Sequence, residues 1–246
     1  HKPVYDFTSE DGIQHTVWVI ENEQLINHLV AVFQEDIPFT YIADGHHRTA
    51  SAAKVGLTMK EANANHRGDE EYNFFLSVLF PDDQLAIMDY NRVVKDLNGL
   101  TEEELLAGLQ EKFLVHATGG IAKPANAHEF GMYLNGRWHL LTAKPGTYTS
   151  DPIGILDVTI LEKNVLTPLL GIVDQRTDTR IDFIGGIRGL KELEKRVDSG
   201  DWKVAFALYP VSLKQLMDIA DSGNVMPPKS TWFEPKLRDG LFSHLF

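Results

Sequence analysis

The chain has 246 residues, 43% of them hydrophobic, no cysteine and a formal net charge of −12. That length builds one large or two small domains, and the absence of cysteine excludes disulfides, thiolate metal sites and a thiol nucleophile. So acidic a chain, with no basic run, argues against nucleic-acid binding, which needs many phosphates neutralised, and no apolar run approaches the ~20 residues that cross a bilayer.

Gly12 to Ile20 alternates as a strand does, and Glu23 to Phe33 sets Leu25, Ile26, Leu29, Val30 and Phe33 at helical spacing. Phe39 to Ala43 is a short apolar run that predicts a buried strand. It ends at Asp44-Gly45, and the small-residue run Thr49 to Val55 predicts a helix behind it. Met59 to Asn73 reads as a helix extension followed by a loop. Phe74 to Phe80 and Leu85 to Val94, joined through Pro81-Asp82-Asp83, predict an antiparallel hairpin. Thr101 to Phe113 predicts a helix with a Thr101/Glu104 capping box and a buried stripe of Leu105, Leu106, Leu109 and Phe113.

Asn135-Gly136, between Glu129–Leu134 and Arg137–Ala143, is the strongest hairpin signal in the chain. Further helices are predicted at Leu156–Leu170, Leu190–Val197 and Leu213–Ala220, and further strands at Ile181–Ile184 and Val204–Tyr209. Ser230 to Phe246 reads as irregular, with one or two short strands. Hairpins mixed with helices, without regular strand–helix alternation, predict an α+β fold.

The chemistry concentrates at Asp44-Gly45-His46-His47-Arg48-Thr49. A strand-to-helix junction exposes free N–H groups that attract anions. Gly45 permits the tight turn, Asp44 is a candidate helix cap, and the two histidines and Arg48 add donors. Asp44 with His46 or His47 can form a general acid/base pair. Asp44 can instead help to place Mg²⁺ beside a phosphate. Adjacent histidines on a turn point apart, which disfavours a metal site made of protein groups alone. Arg92, on the predicted strand Leu85–Val94, is a second anion candidate because a guanidinium grips phosphate or carboxylate in two places. Lys229, Ser230, Thr231 and Lys236 crowd a proline-punctuated loop with Trp232 and Phe233. Gly185-Gly186-Ile187-Arg188-Gly189 lacks both the spacing and the Lys-Ser/Thr ending of a phosphate loop, and reads as a turn.

Three segments carry a resemblance to a known family. Ala43-Asp-Gly-His-His-Arg-Thr-Ala-Ser-Ala52 resembles the DGHHR motif of DUF1015, a family of uncharacterised proteins. Asp89-Tyr-Asn-Arg-Val-Val94 and Met226-Pro-Pro-Lys-Ser-Thr-Trp-Phe-Glu-Pro-Lys236 resemble two further motifs of that family. The family is similar to the ParB/sulfiredoxin-like superfamily, which includes free-serine kinases whose DGHHR motif contributes to the nucleotide-phosphate site. The resemblance implies a ParB/sulfiredoxin-like core over residues 1–100, short of an N-terminal part, with a family-specific α+β region over 101–246.

It also implies a nucleotide or phosphorylated-metabolite binder, with small-molecule phosphotransfer as the reaction and ATP or ADP with Mg²⁺ as cofactor. Asp44, His46 and His47 are then the catalytic candidates. Gly45, His47, Arg48, Thr49, Arg92, Lys229 and Ser230 are the phosphate and nucleotide candidates, and no protein metal site is expected. The expected partner is a small anionic molecule, and the expected location is the cytoplasm. The alternatives are a non-catalytic ligand-binding or regulatory module, or a ParB-like nucleic-acid-associated protein.

Overall fold

The computed structural model describes residues 1–245, apart from the side chain of His47. By its contacts the chain divides into two units, His1–Ile42 and Ala43 onward. In the first, β1 (Tyr5–Thr8) and β2 (Gln14–Val17) pair antiparallel across a turn that Gly12 rounds at φ 82°. α1 (Glu23–Glu35) is capped by Asn22, whose side chain accepts the Leu25 N–H at 2.9 Å. Its apolar stripe has the predicted helical spacing, yet no residue of α1 is buried.

The second unit holds α2 (His46–Ala62), β3 (Ala86–Met88), β4 (Tyr90–Val94), α3 (Glu102–Lys112), β5 (Phe113–Ala117), β6 (Glu129–Leu134) and β7 (Arg137–Ala143). They are followed by α4 (Asp157–Leu161, continued by a π-helical stretch Glu162–Leu166), β8 (Ile181–Gly185), α5 (Lys191–Asp198), β9 (Val204–Leu208), α6 (Leu213–Asp221) and β10 (Trp232–Glu234). Six strands form one sheet in the order β5-β7-β6-β9-β4-β8, and β10 pairs with β3 in a separate ribbon. All pairings among the described residues are antiparallel. The fold is α+β.

Strand alternation sorts the core into two layers. Val204, Phe206 and Leu208 of β9 join Phe130, Met132 and Leu134 of β6 in a cluster with Leu105 and Leu109 of α3 and Leu161, Val165 and Leu166. Ala205, Ala207, Tyr133 and Trp138 face the other way, onto Leu193 and Val197 of α5. Two polar links fix α5 there: Trp138 Nε1 donates to Glu194 at 2.8 Å and the Tyr133 hydroxyl to Asp198 at 2.9 Å. The Thr101/Glu104 capping box and the Asn135-Gly136 hairpin form where predicted. β4 lies inside the large sheet, so the chain passes residue 100 within one unit.

Several predicted elements differ. Phe39–Ala43 and Phe74–Phe80 form no strand. An apolar run becomes a strand only where another strand pairs with it, and neither run belongs to a sheet of the described residues. Phe74, Phe75, Leu76, Val78 and Leu79 are accordingly exposed. The predicted strand Leu85–Val94 breaks at Asp89, with β3 in the ribbon and β4 in the large sheet, so the predicted hairpin with 74–80 is absent. The helix expected over Leu156–Leu170 leaves α-geometry after Leu161 for the π-helical stretch. No helix of the described residues is long and apolar enough to cross a membrane.

Candidate functional site at the start of α2

α2 begins at His46, three residues before the predicted start, so His46, His47 and Arg48 form its first turn rather than the turn before it. Gly45 is the N-cap and sits at φ 82°, ψ 26°, a left-handed conformation that glycine adopts without a Cβ clash. The first intrahelical bond runs from Thr49 N–H to Gly45 C=O at 2.9 Å. The N–H groups of His46 to Arg48 therefore have no intrahelical partner, as in any first helical turn. Asp44 is not the cap. It precedes Gly45, and among the described residues its Oδ1 accepts only the Gly45 N–H, at 2.8 Å.

Two cations gather at this turn. The Arg48 guanidinium folds back over Gly45, with Nη2 3.1 Å from where a Cβ on Gly45 would stand. Lys236, near the chain's end, donates from Nζ to Asp44 Oδ2 at 3.2 Å. Partial burial pushes the Asp44 carboxyl up, but the Gly45 N–H, the Lys236 ammonium and the Arg48 charge together hold it below the ordinary carboxylate range. The side chains of Asp44 and Lys236 are 60% and 45% exposed, so the turn is open to solvent. Asp44, His46 and Arg48 are exposed and Thr49 half-buried; the His47 side chain lies outside the described residues.

The other matched segments reach the same region through the β10–β3 ribbon. Trp232 pairs with Met88 and meets the Tyr90 ring edge-on at 5.4 Å, and Lys236 Nζ lies 5.1 Å from the Trp232 ring centre. Arg92 is fully buried. Its Nη1 donates to Tyr90 C=O, its Nη2 to Lys229 C=O at 2.8 Å, and its Nε has no partner among the described residues. Burial lowers its pKa to about 10 against the opposing pull of Tyr90 and Glu162, which leaves it charged at neutral pH. Ser230 is 5% exposed and donates to Pro227 C=O at 2.6 Å. Lys229 is exposed, with Nζ 5.9 Å and 5.7 Å from the ring centres of Tyr90 and Phe183. The structure thus joins Asp44 and Arg48 to Lys236, and Arg92 to Lys229, but it encloses Arg92 and Ser230.

Sequence reasoning noted Lys236 only as one of a crowd, and it missed Phe183. Lys236 pairs with a residue 192 positions away, and no local pattern carries such a contact. Gly185 and Gly186 are explained by packing. A Cβ on Gly185 would lie 2.5 Å from the Trp232 ring, and one on Gly186 would lie 2.1 Å from Asp89 Oδ1. A cleft lined by Asp83, Gln84, Ala86, Ile187 and Glu234 borders the ribbon, and another lies between Ser150, Pro152 and residues of α6; neither is lined by residues 44–49. Among the described residues no group of three His, Asp or Glu stands ready for a metal ion. Asp44 offers one carboxylate, already committed to Gly45 and Lys236.

A family described as "Protein of unknown function (DUF1015)" matches residues 1–159. No curated relative matches the sequence. Among solved structures, a mutant free serine kinase in complex with AMP is similar at TM-score 0.45 and 14% identity, covering 88% of this chain and 81% of its own. A conserved hypothetical protein from Pyrococcus furiosus is similar at TM-score 0.44 and 15% identity, over 86% and 83%. A mutant free serine kinase in complex with ADP is similar at 0.42 and 15%, over 87% and 82%.

Proposed function

We propose that this chain, which belongs to the DUF1015 family of proteins of unknown function, binds a phosphate-bearing small molecule at the start of α2. A nucleotide or a phosphorylated metabolite fits this description. One observation carries the reading: Arg48 and Lys236 converge on the Gly45 turn, where the first-turn N–H groups of α2 have no intrahelical partner. Helix N–H groups and a guanidinium both bind phosphate oxygens at hydrogen-bond distance. The net charge of −12 opposes approach, but salt screens that repulsion over roughly 8–10 Å, and contact is governed by the local donors.

Phosphoryl transfer to a small metabolite, an amino acid among the candidates, is the reaction class this site suits. Such transfer rests on positioning and charge stabilisation. Its lowered pKa makes Asp44 a weak base, so its role is to orient a hydroxyl or to lend one oxygen to Mg²⁺. The nucleotide phosphates and water would complete that ion's shell. His46 is the candidate proton carrier. Lys229 is a further contact for the ligand's negative charge.

Titration calorimetry with AMP, ADP and inorganic phosphate tests this. Arg48→Ala and Lys236→Ala should each weaken binding by about 1.5–3 kcal/mol, the range for hydrogen bonds to charged groups. The same change at exposed Lys191 should leave affinity unaltered. Equal losses in all three variants would discard the site.

A further inference from the structure

We infer that Arg92 is a positioning residue: from inside the sheet it fixes the backbone that carries Lys229, and so aims the Lys229 ammonium across the rings of Tyr90 and Phe183. The inference rests on the proposed phosphate-bearing ligand only for what Lys229 then meets. Arg92 is 0% exposed and cannot touch a ligand in this conformation. Its reach ends at two backbone carbonyls, Tyr90 on its own strand and Lys229, 137 residues away. A buried guanidinium is an expensive way to fill a core, since an apolar side chain of similar volume does so without desolvating a charge. Here the charge is not even paired with a carboxylate by a hydrogen bond, and Nε is left without a partner among the described residues. What an apolar side chain could not do is hold Lys229 C=O at 2.8 Å.

The rest of the loop fits this role. Lys229 adopts φ 58°, a left-handed conformation that non-glycine residues adopt uncommonly. Such a conformation persists where the surroundings over-determine it. Arg92 holds it from one side, and Ser230 closes the loop from the other through Pro227 C=O. The result is an ammonium over two aromatic faces, with no ion pair among the described residues. Arg92 also stacks on the same Phe183 ring, 5.3 Å from its centre, so one guanidinium braces both the lysine's backbone and part of its aromatic floor.

Two readouts test the inference. Lysines dimethylated with ¹³C keep their charge, and the Lys229 signal, identified by its loss in Lys229→Arg, should be shifted upfield by the two rings. Arg92→Met should move it to the position of an exposed lysine, while Arg92→Lys should retain part of the shift. In ADP binding, Lys229→Ala should lose roughly tenfold, Arg92→Met a similar factor, and the double variant no more than Lys229→Ala alone. If Arg92→Met fails to fold, Arg92→Lys takes its place in the cycle. An unchanged Lys229 signal, or losses that multiply in the double variant, overturns the positioning role. If the parent protein binds neither ADP nor phosphate, the functional reading fails, and the lysine signal alone then decides the role of Arg92.

Discussion

Asp157→Asn is expected to stabilise the protein above pH 7 and to flatten a decline in stability that the parent shows between about pH 4 and pH 8. Asp157 starts α4 and is 5% exposed. Its Oδ1 accepts the His128 N–H at 2.8 Å, and Oδ2 has no partner among the described residues. Burial drives its carboxyl up to about 7; the His128 N–H opposes this, the Glu129 charge adds to it, and the Tyr209 N–H opposes it again. The folded state therefore binds a proton that the unfolded chain releases near the ordinary value of 3.8.

The sign follows from that difference. The proton's contribution is complete below the unfolded value and is lost as pH rises through the folded one. From the ordinary value to about 7 it amounts to about 4 kcal/mol. Asparagine keeps the oxygen that accepts from His128 and carries no charge. Urea unfolding of both proteins from pH 4 to pH 8 checks this. The variant's advantage should grow with pH and level off above 7, and parallel curves would show that Asp157 does not titrate as described.

Gly131→Ala should destabilise the protein by about 3 kcal/mol or more, at the upper end of overpacking effects. Gly131 lies in β6 between β7 and β9, so the strand is hydrogen-bonded on both sides and cannot retreat. A Cβ there would lie 2.0 Å from Ala122 C=O and 3.2 Å from the Trp138 ring. Ala122 belongs to the same buried layer as Tyr133 and Trp138, so the segment that carries it would have to lift off the sheet. The midpoint of urea unfolding measures the loss. Gly119→Ala is the control, because a Cβ at that glycine meets nothing within 4 Å. A midpoint for Gly131→Ala as little changed as the control's would mean that the Ala122 segment moves aside freely.

These two residues also mark what could be read from the sequence. Features set by neighbours in the chain were legible. The Asn135-Gly136 turn takes φ 47° and 74°, the pair of positive angles that a tight two-residue hairpin requires, and Thr101 and Glu104 bond each other's backbone groups. Features set by distant partners were not. Phe74–Phe80 has the composition of a strand but, among the described residues, no strand beside it. β5 follows α3 with no intervening loop, which hid it behind the helical stripe ending at Phe113. β1 was overlooked although Asp11-Gly12 signals a turn after it.

At the site, the tight turn at Gly45 and the helix behind it were legible because they rest on residue types and one glycine. The pairing of Asp44 with Lys236, the enclosure of Arg92 and its contact with Phe183 were not, because each depends on a partner far away in the sequence. Asp157 gave no signal of its own. An aspartate at the start of a helix is ordinary, and only the burial of its second oxygen makes it unusual.

In the proposed function, phosphate oxygens sit on the first turn of α2. Amide ¹H–¹⁵N shifts followed during titration of the protein with ADP test it most directly, because they report the backbone donors themselves. Saturable shifts are expected, largest at residues 46–49, reproduced in part by inorganic phosphate and weakened in Arg48→Ala. Saturable ADP binding whose shifts centre elsewhere, with residues 46–49 unmoved, would contradict it.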